Sequence, residues 1–535
     1  MKRIILLFFS LLITCSLFSQ SNLLTTAERS EYSATSTYDE VISFISVLEK
    51  QSDILRIEWI ARTTEGRDIP MMVIANPMVE NWQDAQNDDR VVVYIQANIH
   101  AGEIEGKEAA QMLARDLVKN PQSDILNNCI VLINPILNAD GNERFSTKNR
   151  TNQNGPASVG VRYNGQQLDL NRDAMKVETP EIKGLITNVL NKWDPAILVD
   201  CHTTNGSYHE EPITFTWMNN PNGDRQLINF MRDDLMPTVH NNLLKNYNVE
   251  NIFYGEFIDR MNIDKGWISY ASEPRYVVNY VGVRNRLAIL NENYVYADYK
   301  TRVLGSNKLL WSILEYASAN KEKIKNLIVL ADMKTIARGL NPKEKDSFAI
   351  EYKGFPTPEK ITIKAFEADT IAGVKGYWRF KKSDRKRTVT VDYIADYFPT
   401  KSVRFPYAYL ITKPDADVLE NLKIHGIKIE QLNSKKTIVV EQFDFKEIKP
   451  SQRINQGHYT NKVKGSFSLV EKEFPEGTIL VKTAQPLGWL VASLLEPQAD
   501  DGLIKWNFFD KYLSPQWGGS FYPYPVYRVV EKIDF

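Results

Sequence analysis

Four residues with metal-binding or acid–base side chains stand at the ends of apolar runs in the sequence: His100, Glu103, His202 and Glu292. Two imidazoles and one carboxylate at strand ends are the ligand set of a catalytic zinc site, in which three protein ligands leave the fourth tetrahedral position open for water. A further carboxylate near that water supplies a general base. The sequence therefore predicts a zinc hydrolase, with one Zn²⁺ per chain on His100, Glu103 and His202 and with Glu292 as the base.

Helical and strand-like patterns alternate from residue 36 to residue 191, and a further strand-like run follows at 196–200. The strand-like runs are rich in Ile, Val and Leu without clean polar alternation, which is typical of a sheet covered on both faces. The predicted fold class is therefore α/β, and ligands in such folds collect at the carboxyl ends of strands, where His100 and His202 stand. The expected strands cover residues 55–61, 69–75, 91–97, 129–136 and 196–200, and the expected helices cover 38–50, 105–119, 180–190 and about 299–317.

Beyond about residue 340 the pattern changes to short alternating runs separated by Pro, Gly and Asp, which is typical of an all-β module. The last hundred residues, with runs at 478–482 and 506–510, either form a second β unit or complete the first. We expect three parts in the chain. They are a signal peptide over 1–20, a catalytic domain over 21–335 and a β-rich C-terminal region of one or two modules over 340–535.

Five motifs resemble those of the zinc metallocarboxypeptidases related to carboxypeptidase A, and they occur in that family's order between about residues 37 and 315. A sixth segment, Ile60–Arg67, also resembles part of that family. The five motifs are His100-x-x-Glu103 for the first two zinc ligands, Asn138-Ala-Asp-Gly141 for the Asn-Pro-Asp-Gly turn, Leu168–Arg172 for the Asp-x-Asn-Arg segment, Asp200-Cys-His202 for the third ligand and Leu290-Asn-Glu292 for the catalytic glutamate.

The resemblance implies a mixed β-sheet covered by helices on both faces, and an enzyme that recognises the free C-terminal carboxylate of a peptide. Asn171 and Arg172 match the family's carboxylate-binding pair, and a planar guanidinium suits bidentate binding. The alternative for Arg172 is an ion pair with Asp173 or Glu178 on a surface loop.

A tyrosine that caps the bound substrate is also implied. Tyr270 lies 22 residues before Glu292, which is similar to the family's offset for this residue. Tyr276 and Tyr280 are nearby alternatives. For Glu292 itself, the alternative to the base is a carboxylate paired with a neighbouring arginine, Arg284 or Arg286.

Two further roles follow from the resemblance. Asp169 matches the residue that hydrogen-bonds the first histidine ligand, here His100. Arg150 is the candidate for stabilising the oxyanion, with Lys148 and Arg144 as alternatives, because the family's usual arginine after a tryptophan is missing. Gly102 stands where the best-known members carry arginine, so the outer substrate subsites are expected to differ.

The amino terminus has the pattern of a signal peptide, with a basic start at Lys2-Arg3, an apolar stretch over 4–18 and small residues near Ser19. The apolar stretch is shorter than the roughly 20 residues of a membrane span. No later segment is expected to cross a membrane. We therefore expect an exported protein in a bacterial periplasm or beyond.

Composition excludes little. A formal net charge of −1 and a charged content of 24% describe an ordinary globular protein. This balance gives no reason to expect nucleic acid or an anionic membrane as the partner. Cys129 and Cys201 lie inside apolar runs, and we expect buried free thiols. A disulfide between neighbouring strands is the alternative in an oxidising compartment.

The function expected first is an exported zinc carboxypeptidase that hydrolyses C-terminal residues from peptides, whose partner is a peptide with a free carboxylate. One alternative keeps the zinc site and changes the substrate to peptidoglycan stem peptides, as a carboxypeptidase or endopeptidase. The other alternative is a non-catalytic, zinc-stabilised binding protein. Retention of a base at Glu292 argues against this last alternative, because a binding module needs none.

Overall fold

The computed structural model describes residues 23–204, 206–270, 272–376, 379–515, 517 and 519–533. The expected signal peptide over 1–20 lies outside these residues. A mixed sheet of eight strands, in the order β1-β2-β4-β3-β5-β10-β6-β7, forms the first layer of the fold. The first ten strands are β1 (Leu55–Arg62), β2 (Asp68–Ile74), β3 (Val91–Ala97), β4 (Cys129–Asn134), β5 (Ile197–Thr204), β6 (Ile213–Trp217), β7 (Asn251–Phe253), β8 (Glu256–Phe257), β9 (Trp267–Ile268) and β10 (Leu287–Tyr294).

The centre of this sheet is parallel and buried on both sides. Strands β4, β3, β5 and β10 run parallel, and β1 and β2 pair antiparallel with their neighbours. Strand β6 is antiparallel to β10 and parallel to β7. Every residue of β3, β4, β5 and β6 is buried. Because successive side chains point to opposite faces of a strand, both faces must be covered. The predicted α/β class is confirmed.

Helices surround the sheet, and several begin at the caps that the sequence indicates. The helix α7 (Pro180–Gly184) begins after Thr179, whose side chain accepts a hydrogen bond from the backbone N–H of Ile182, and it continues as a π-helix over Leu185–Leu190. The helices are α1 (Thr26–Arg29), α2 (Tyr38–Lys50), α3 (Trp82–Asn87), α4 (Glu105–Lys119), α5 (Asp124–Asn128), α6 (Ala139–Asn142), α7 (Pro180–Gly184), α8 (Arg225–Phe230), α9 (Met236–Asn246), α10 (Val277–Val283), α11 (Tyr299–Ala319), α12 (Lys321–Leu340), α13 (Ala416–Ile424) and α14 (Gly488–Leu495).

The C-terminal region is rich in strands, as expected, and it continues the fold of the first part. Strand β14 pairs with β9, so a four-stranded sheet in the order β11-β14-β9-β8 contains strands from both parts of the chain. The later strands are β11 (Ser347–Pro356), β12 (Ile361–Thr370), β13 (Phe380–Val391), β14 (Tyr393–Arg404), β15 (Ala408–Ile411), β16 (Glu430–Gln431), β17 (Lys436–Pro450), β18 (Asn461–Phe474), β19 (Ile479–Lys482) and β20 (Val526–Val529).

Two details of the C-terminal expectation are wrong. Helices α13 and α14 interrupt the strands, so the region is not all-β. The run Trp506–Asp510 forms turns that lead into a 3₁₀ turn at Asp510–Tyr512 rather than a strand. Its aromatic residues Trp506 and Phe509 are buried, and this burial, not a strand, accounts for the apolar pattern. Strands β19 and β20 both pair with β15, so the last hundred residues complete a six-stranded sheet.

Cys129 and Cys201 are both free and buried, which confirms the expectation of free thiols at these two positions. Cys201 packs against α4. A Cβ atom added at Gly106 would come within 2.4 Å of the Cys201 Cβ, so glycine permits the close approach of helix and strand. Within the described ranges, no helix is both long enough and apolar enough to cross a membrane.

Candidate metal centre and substrate cavity

The parallel strands at the centre of the sheet bring the candidate residues to one edge. In the register of β5 and β10, His202 is the direct partner of Glu292. Strand β3 pairs with the other side of β5 up to Ala97 and Cys201, and His100 follows three residues later. Since carboxyl ends of parallel strands meet at the same edge, residues almost two hundred positions apart converge there.

A tight turn after β3 directs His100 and Glu103 to the same point. Asn98 adopts a left-handed backbone with φ of 63°, and the Glu103 N–H donates to the His100 carbonyl at 2.9 Å. A Cβ atom at Gly102 would lie 2.9 Å from Arg150 Cγ and 2.9 Å from the carbonyl oxygen of Gly160. Glycine at 102 therefore gives Arg150 room to approach the turn.

Three side chains present ligand atoms to one another at distances that suit zinc. The Nδ1 atoms of His100 and His202 are 3.1 Å apart. The Glu103 carboxylate lies 3.2 Å from His100 Nδ1 and 2.9 Å from His202 Nδ1. Ligands of a tetrahedral ion with bonds of about 2.0–2.2 Å are roughly 3.3–3.6 Å apart. The donor set and its spacing therefore fit a zinc ion after a shift of a few tenths of an ångström.

Each histidine is held by a carboxylate on its other nitrogen. His100 Nε2 lies 2.9 Å from Asp169 Oδ1, and His202 Nε2 lies 2.9 Å from Asp200 Oδ2. An Nε2–H that donates to a carboxylate leaves Nδ1 with its lone pair directed at the metal position. Asp200 also accepts a hydrogen bond from Gln96 Nε2 at 2.9 Å.

Sequence reasoning assigned no role to Asp200, although a signal was present. Residues 200 and 202 are two apart on one strand, so their side chains lie on the same face. An acid two positions before a strand-end histidine therefore indicates a carboxylate that orients the ring.

The surroundings shift the pKa values of the buried carboxylates in opposite directions. Burial acts to raise the pKa of Glu103, but the charges of His100 and Arg150 outweigh it and hold that pKa well below its usual range. At Asp169 burial also acts to raise the pKa, but the charges of His100 and Arg162 outweigh it, and this pKa is lowered. At Glu292 burial prevails over the attraction of His202 and raises the pKa to about 8.

A cavity of about 210 Å³ lies beside the ligand cluster. It contains most of the residues that the sequence predicts for substrate handling, together with apolar and aromatic side chains. Its lining consists of His100, Glu103, Arg162, Asn171, Arg172, Thr203, Thr204, Tyr254, Glu256, Tyr270, Tyr276, Val278, Leu290 and Glu292.

Asn171 and Arg172 lie on a 3₁₀ turn at the wall of this cavity. Asn171 accepts a hydrogen bond from the Val277 N–H at 2.9 Å, which fixes its amide. The Arg172 guanidinium donates to the Asn171 carbonyl at 2.8 Å and stacks on Tyr276, 4.4 Å from the ring centre.

The two carboxylates that could have paired with Arg172 pair with another cation. Asp173 and Glu178 both bond Lys176, at 2.7 and 2.6 Å. Arg172 instead has a carboxylate contact at 3.9 Å to Asp169 Oδ2. Most of its guanidinium therefore remains available to a ligand in the cavity.

The arginines that could have paired with Glu292 have other partners. Arg284 donates to the His425 carbonyl at 3.0 Å and to Asn191 Oδ1 at 2.9 Å. Arg286 pairs with Asp194 and Asp332, at 2.6 and 3.1 Å. The Glu292 side chain lines the cavity instead.

The three candidate tyrosines separate into two groups. Tyr270 and Tyr276 both line the cavity, with ring centres 6.2 Å apart, and the Tyr270 hydroxyl donates to the Trp217 carbonyl at 3.4 Å. Tyr280 lies in the core, where its hydroxyl is 2.7 Å from His425 Nδ1. The geometry therefore leaves Tyr270 and Tyr276 as the candidates that reach a substrate.

Arg150 contacts the ligand cluster, whereas the two alternatives proposed beside it do not. Its guanidinium donates to Glu103 Oε1 at 2.9 Å and to the Thr203 carbonyl at 2.9 Å. Lys148 is exposed, and Arg144 pairs with Glu65.

A second guanidinium, which sequence reasoning missed, lines the cavity itself. Arg162 Nε donates to Asp169 Oδ2 at 2.8 Å, and its Nη1 lies 3.5 Å from Glu103 Oε1. The loop that carries it has no regular secondary structure. The only sequence signal for Arg162 was its place in the stretch that leads to Asp169.

Comparison with known proteins agrees with this site. Residues 41–205 match the family model described as zinc carboxypeptidase, a span that includes all three ligand candidates. Carboxypeptidase 2 of Trichophyton rubrum is 23% identical over 498 residues, which cover 84% of this chain and 80% of that protein. Carboxypeptidase 2 of Trichophyton tonsurans is 22% identical over 509 residues, which cover 88% and 81%.

Solved structures of metallocarboxypeptidases are also similar over about half of the chain. The carboxypeptidase A from Helicoverpa armigera has a TM-score of 0.40 at 18% identity, covering 57% of this chain and 78% of that one. A metallo-carboxypeptidase from Burkholderia cenocepacia has a TM-score of 0.39 at 13% identity, covering 53% and 70%.

The predicted resemblance is thus confirmed, and the class of the protein is a peptide hydrolase. More particularly, residues 41–205 are similar to the zinc carboxypeptidases, a family that depends on zinc.

Proposed function

We propose that the protein is an exported zinc-dependent carboxypeptidase that removes C-terminal residues from peptides. One observation carries the proposal. The ligand atoms of His100, Glu103 and His202 lie within 4.8 Å of one another at a cavity that also holds Glu292 and Arg172. A metal group, a base and a carboxylate-binding cation in one cavity are what hydrolysis next to a free carboxylate needs.

His100, Glu103 and His202 would hold the ion, and their spacing supports this assignment. A zinc ion bound there supplies Lewis-acid chemistry, which polarises a carbonyl oxygen and makes water more acidic. Asp169 and Asp200 keep both imidazoles in the tautomer that directs Nδ1 inward.

Glu292 acts as the general base. It takes a proton from the water that attacks the scissile carbonyl and passes it to the amine that leaves. Its place beside His202 in the register brings the carboxylate next to the ligand cluster. Its burial supports the role as well, because a desolvated carboxylate is more basic than one in water.

Asn171 and Arg172 bind the substrate carboxylate, and Tyr270 closes over it, with Tyr276 supporting Arg172 from below. Arginine suits this task because its planar fork matches a carboxylate with two parallel hydrogen bonds.

Two arginines supply positive charge near the scissile carbonyl. Arg150 is fixed beside Glu103, and Arg162 lines the cavity. Charge of this kind stabilises the oxyanion that develops as water adds to the carbonyl.

Export is proposed from the basic and apolar pattern of residues 1–20. Expression of the full chain in a bacterial host tests it. Amino-terminal sequencing of protein from the periplasm or medium should begin near Ser19–Ser21, whereas an intact Met1 on cytosolic protein would contradict export.

A peptide library treated with the purified protein tests the activity, with products identified by mass spectrometry. We expect single residues to be lost from free C-termini, and we expect a zinc chelator to stop the loss and added Zn²⁺ to restore it. C-terminally amidated copies of the same peptides are the control and should be cleaved far more slowly. Cleavage of both sets at internal bonds would overturn the carboxypeptidase proposal.

A further inference from the structure

The segment that carries the proposed carboxylate-binding pair is held by the C-terminal region. We call residues 169–178 the carboxylate segment. At its start, the backbone N–H of Asp169 donates to Gln456 Oε1 at 2.8 Å, a contact between residues 287 positions apart. Asp169 in turn contacts His100, and Asn171 follows two residues later. Gln456 therefore touches the segment at the point where the metal site and the carboxylate site meet.

The turn that presents Gln456 has a defined shape. Strands β17 and β18 are joined by a loop whose tip closes with two hydrogen bonds, Asn455 N–H to His458 O at 2.8 Å and His458 N–H to Asn455 O at 3.0 Å. Gln456 and Gly457 both adopt left-handed φ values, 53° and 82°. Glutamine seldom adopts this conformation, so the hydrogen bonds of the turn must hold the backbone of Gln456 in it.

Two buried side chains of helix α13 and its end fix the middle of the carboxylate segment. Asn421 Nδ2 donates to the carbonyl oxygens of Met175 and Lys176, both at 3.1 Å. His425 Nε2 lies 3.1 Å from the Met175 carbonyl. Burial lowers the pKa of His425 to about 3, so the ring is neutral and its Nε2–H donates.

The far end of the segment is fixed as well. His458 Nε2 lies 2.7 Å from Glu178 Oε1, and its ring packs edge-on against Trp506. The Lys176 ammonium lies 5.8 Å from the centre of the Trp506 ring. Thus the start, middle and end of the carboxylate segment all contact residues beyond 420.

A second part of the cavity wall, next to Arg172, is tied to the same region. Asp501 is buried and accepts two hydrogen bonds from Arg275, one from the backbone N–H and one from the guanidinium, both at 3.0 Å. Tyr276 is the next residue, and it lines the cavity beneath Arg172. The backbone carbonyl oxygen of Arg275 accepts a hydrogen bond from the Ala174 N–H at 3.4 Å. This bond connects the stretch that carries Tyr276 to the carboxylate segment.

We propose that the C-terminal region is part of the substrate site, with Gln456 and Asp501 as positioning residues for the carboxylate-binding walls. Neither residue lines the cavity. They act through Asp169 and Arg275, and hence on Arg172 and Tyr276. Loops that bind a ligand need supports that fix their geometry, because a small displacement loosens bidentate contacts. The inference rests on the proposed function of Arg172.

The test compares variants that remove one support each. Gln456→Met keeps the length of the side chain and removes the acceptor. Asp501→Asn removes the charge that faces Arg275 and suits the left-handed φ of 65° at this position. Glu420→Gln is the matched control, because Glu420 joins the two regions through an exposed ion pair with Lys183, which is not part of the carboxylate segment.

For each variant, hydrogen exchange of residues 169–178 is measured together with kcat and KM on matched peptides with a free or an amidated C-terminus. We expect faster exchange in the carboxylate segment and a roughly 5- to 10-fold loss of kcat/KM. The loss should arise mainly from KM and be confined to the free-acid peptides. Zinc content and the Glu420→Gln protein should match wild type.

Exchange that stays at the wild-type rate in both variants would overturn the proposal, whatever happens to activity. An equal loss on both peptides, with a lowered Tm, would also overturn it, because that result reflects general destabilisation. Failure of the proposed function is separate and visible in the wild-type protein, which would then show no preference for free-acid peptides. The exchange measurement still decides the role of Gln456 and Asp501 in that event.

Discussion

Glu292 and His202 are direct partners in the register of two adjacent parallel strands, β10 and β5. The pairing fixes the distance between the proposed base and a proposed metal ligand by backbone hydrogen bonds rather than by flexible loops. Strand elements hold functional groups more accurately than loops do. The base and this ligand therefore belong to the most rigid part of the site, whereas the carboxylate-binding residues depend on loop supports.

Replacing Glu292 with glutamine tests the base. Glutamine has nearly the same shape but cannot accept the proton from water. We expect kcat to fall by about 10²–10⁴-fold, with KM within a few-fold of wild type. Zinc content, measured by mass spectrometry of the purified protein, should stay at one ion per chain. Wild-type turnover in this variant would contradict the proposed mechanism.

Asp200 gives a prediction about metal affinity. It accepts hydrogen bonds from both Gln96 and His202, so Asp200→Asn must turn its amide N–H group toward one of these donors. If the amide N–H group faces His202, Nε2 of the ring must accept the hydrogen bond, and the ring hydrogen then stays on Nδ1. A protonated Nδ1 cannot bind a metal. We expect zinc affinity to fall about 10- to 100-fold, measured by competition with a chromophoric chelator.

The control for this variant is Asp194→Asn. Asp194 pairs with Arg286, lies three residues before the first residue of β5 and is exposed. It should keep wild-type zinc affinity. Equal affinities in the two variants would show that the His202–Asp200 contact does not tune the metal site.

The parts of the site that the sequence predicts well are those with local signals. His100, Glu103, His202 and Glu292 follow apolar runs, and parallel strands bring such ends together without further information. Asp169 and Asn171 lie in a short motif with a known order. For the same reason the central strands appear in the structure within a few residues of their predicted bounds.

The parts that escaped prediction depend on contacts between distant residues. Arg162 sits in an irregular loop, and its place in the stretch that leads to Asp169 is the only sequence signal for the contact between the two side chains. Gln456 reaches the same residue from 287 positions away, a pairing that no local pattern encodes. The run Trp506–Asp510 has the composition of a strand, but its aromatic residues pack into the core from turns, so tertiary burial overrode the local preference.

Arg172 provides a prediction about substrate selection. Arg172→Lys keeps one positive charge but loses the planar fork and the stacking on Tyr276. We expect kcat/KM on free-acid peptides to fall about 10- to 100-fold, and the slow cleavage of amidated peptides to change little. Lys148→Ala, which removes an exposed cation, should match wild type. A loss shared equally by both kinds of peptide would argue against carboxylate binding at Arg172.

Glu181 makes stability depend on pH, independently of the metal site. Its side chain is fully buried in α7, with one oxygen 3.2 Å from Asn164 Nδ2, and the other has no hydrogen-bond partner among the residues described. Burial raises its pKa from 4.5 to about 7. Between these values the folded protein holds a proton that the unfolded chain has released. The stability that Glu181 contributes is therefore complete below pH 4.5 and is lost as pH rises through 7.

Glutamine at this position does not titrate, so Glu181→Gln should remove the pH dependence. The free energy of unfolding, measured with urea from pH 4.5 to pH 8, should differ little between variant and wild type at the acid end. At pH 8 the variant should be more stable by about 2–3 kcal/mol. Glu344→Gln, at an exposed position, should follow wild type throughout. A constant difference between Glu181→Gln and wild type across the range would mean that Glu181 has the same pKa in both states, because only unequal proton binding produces a slope.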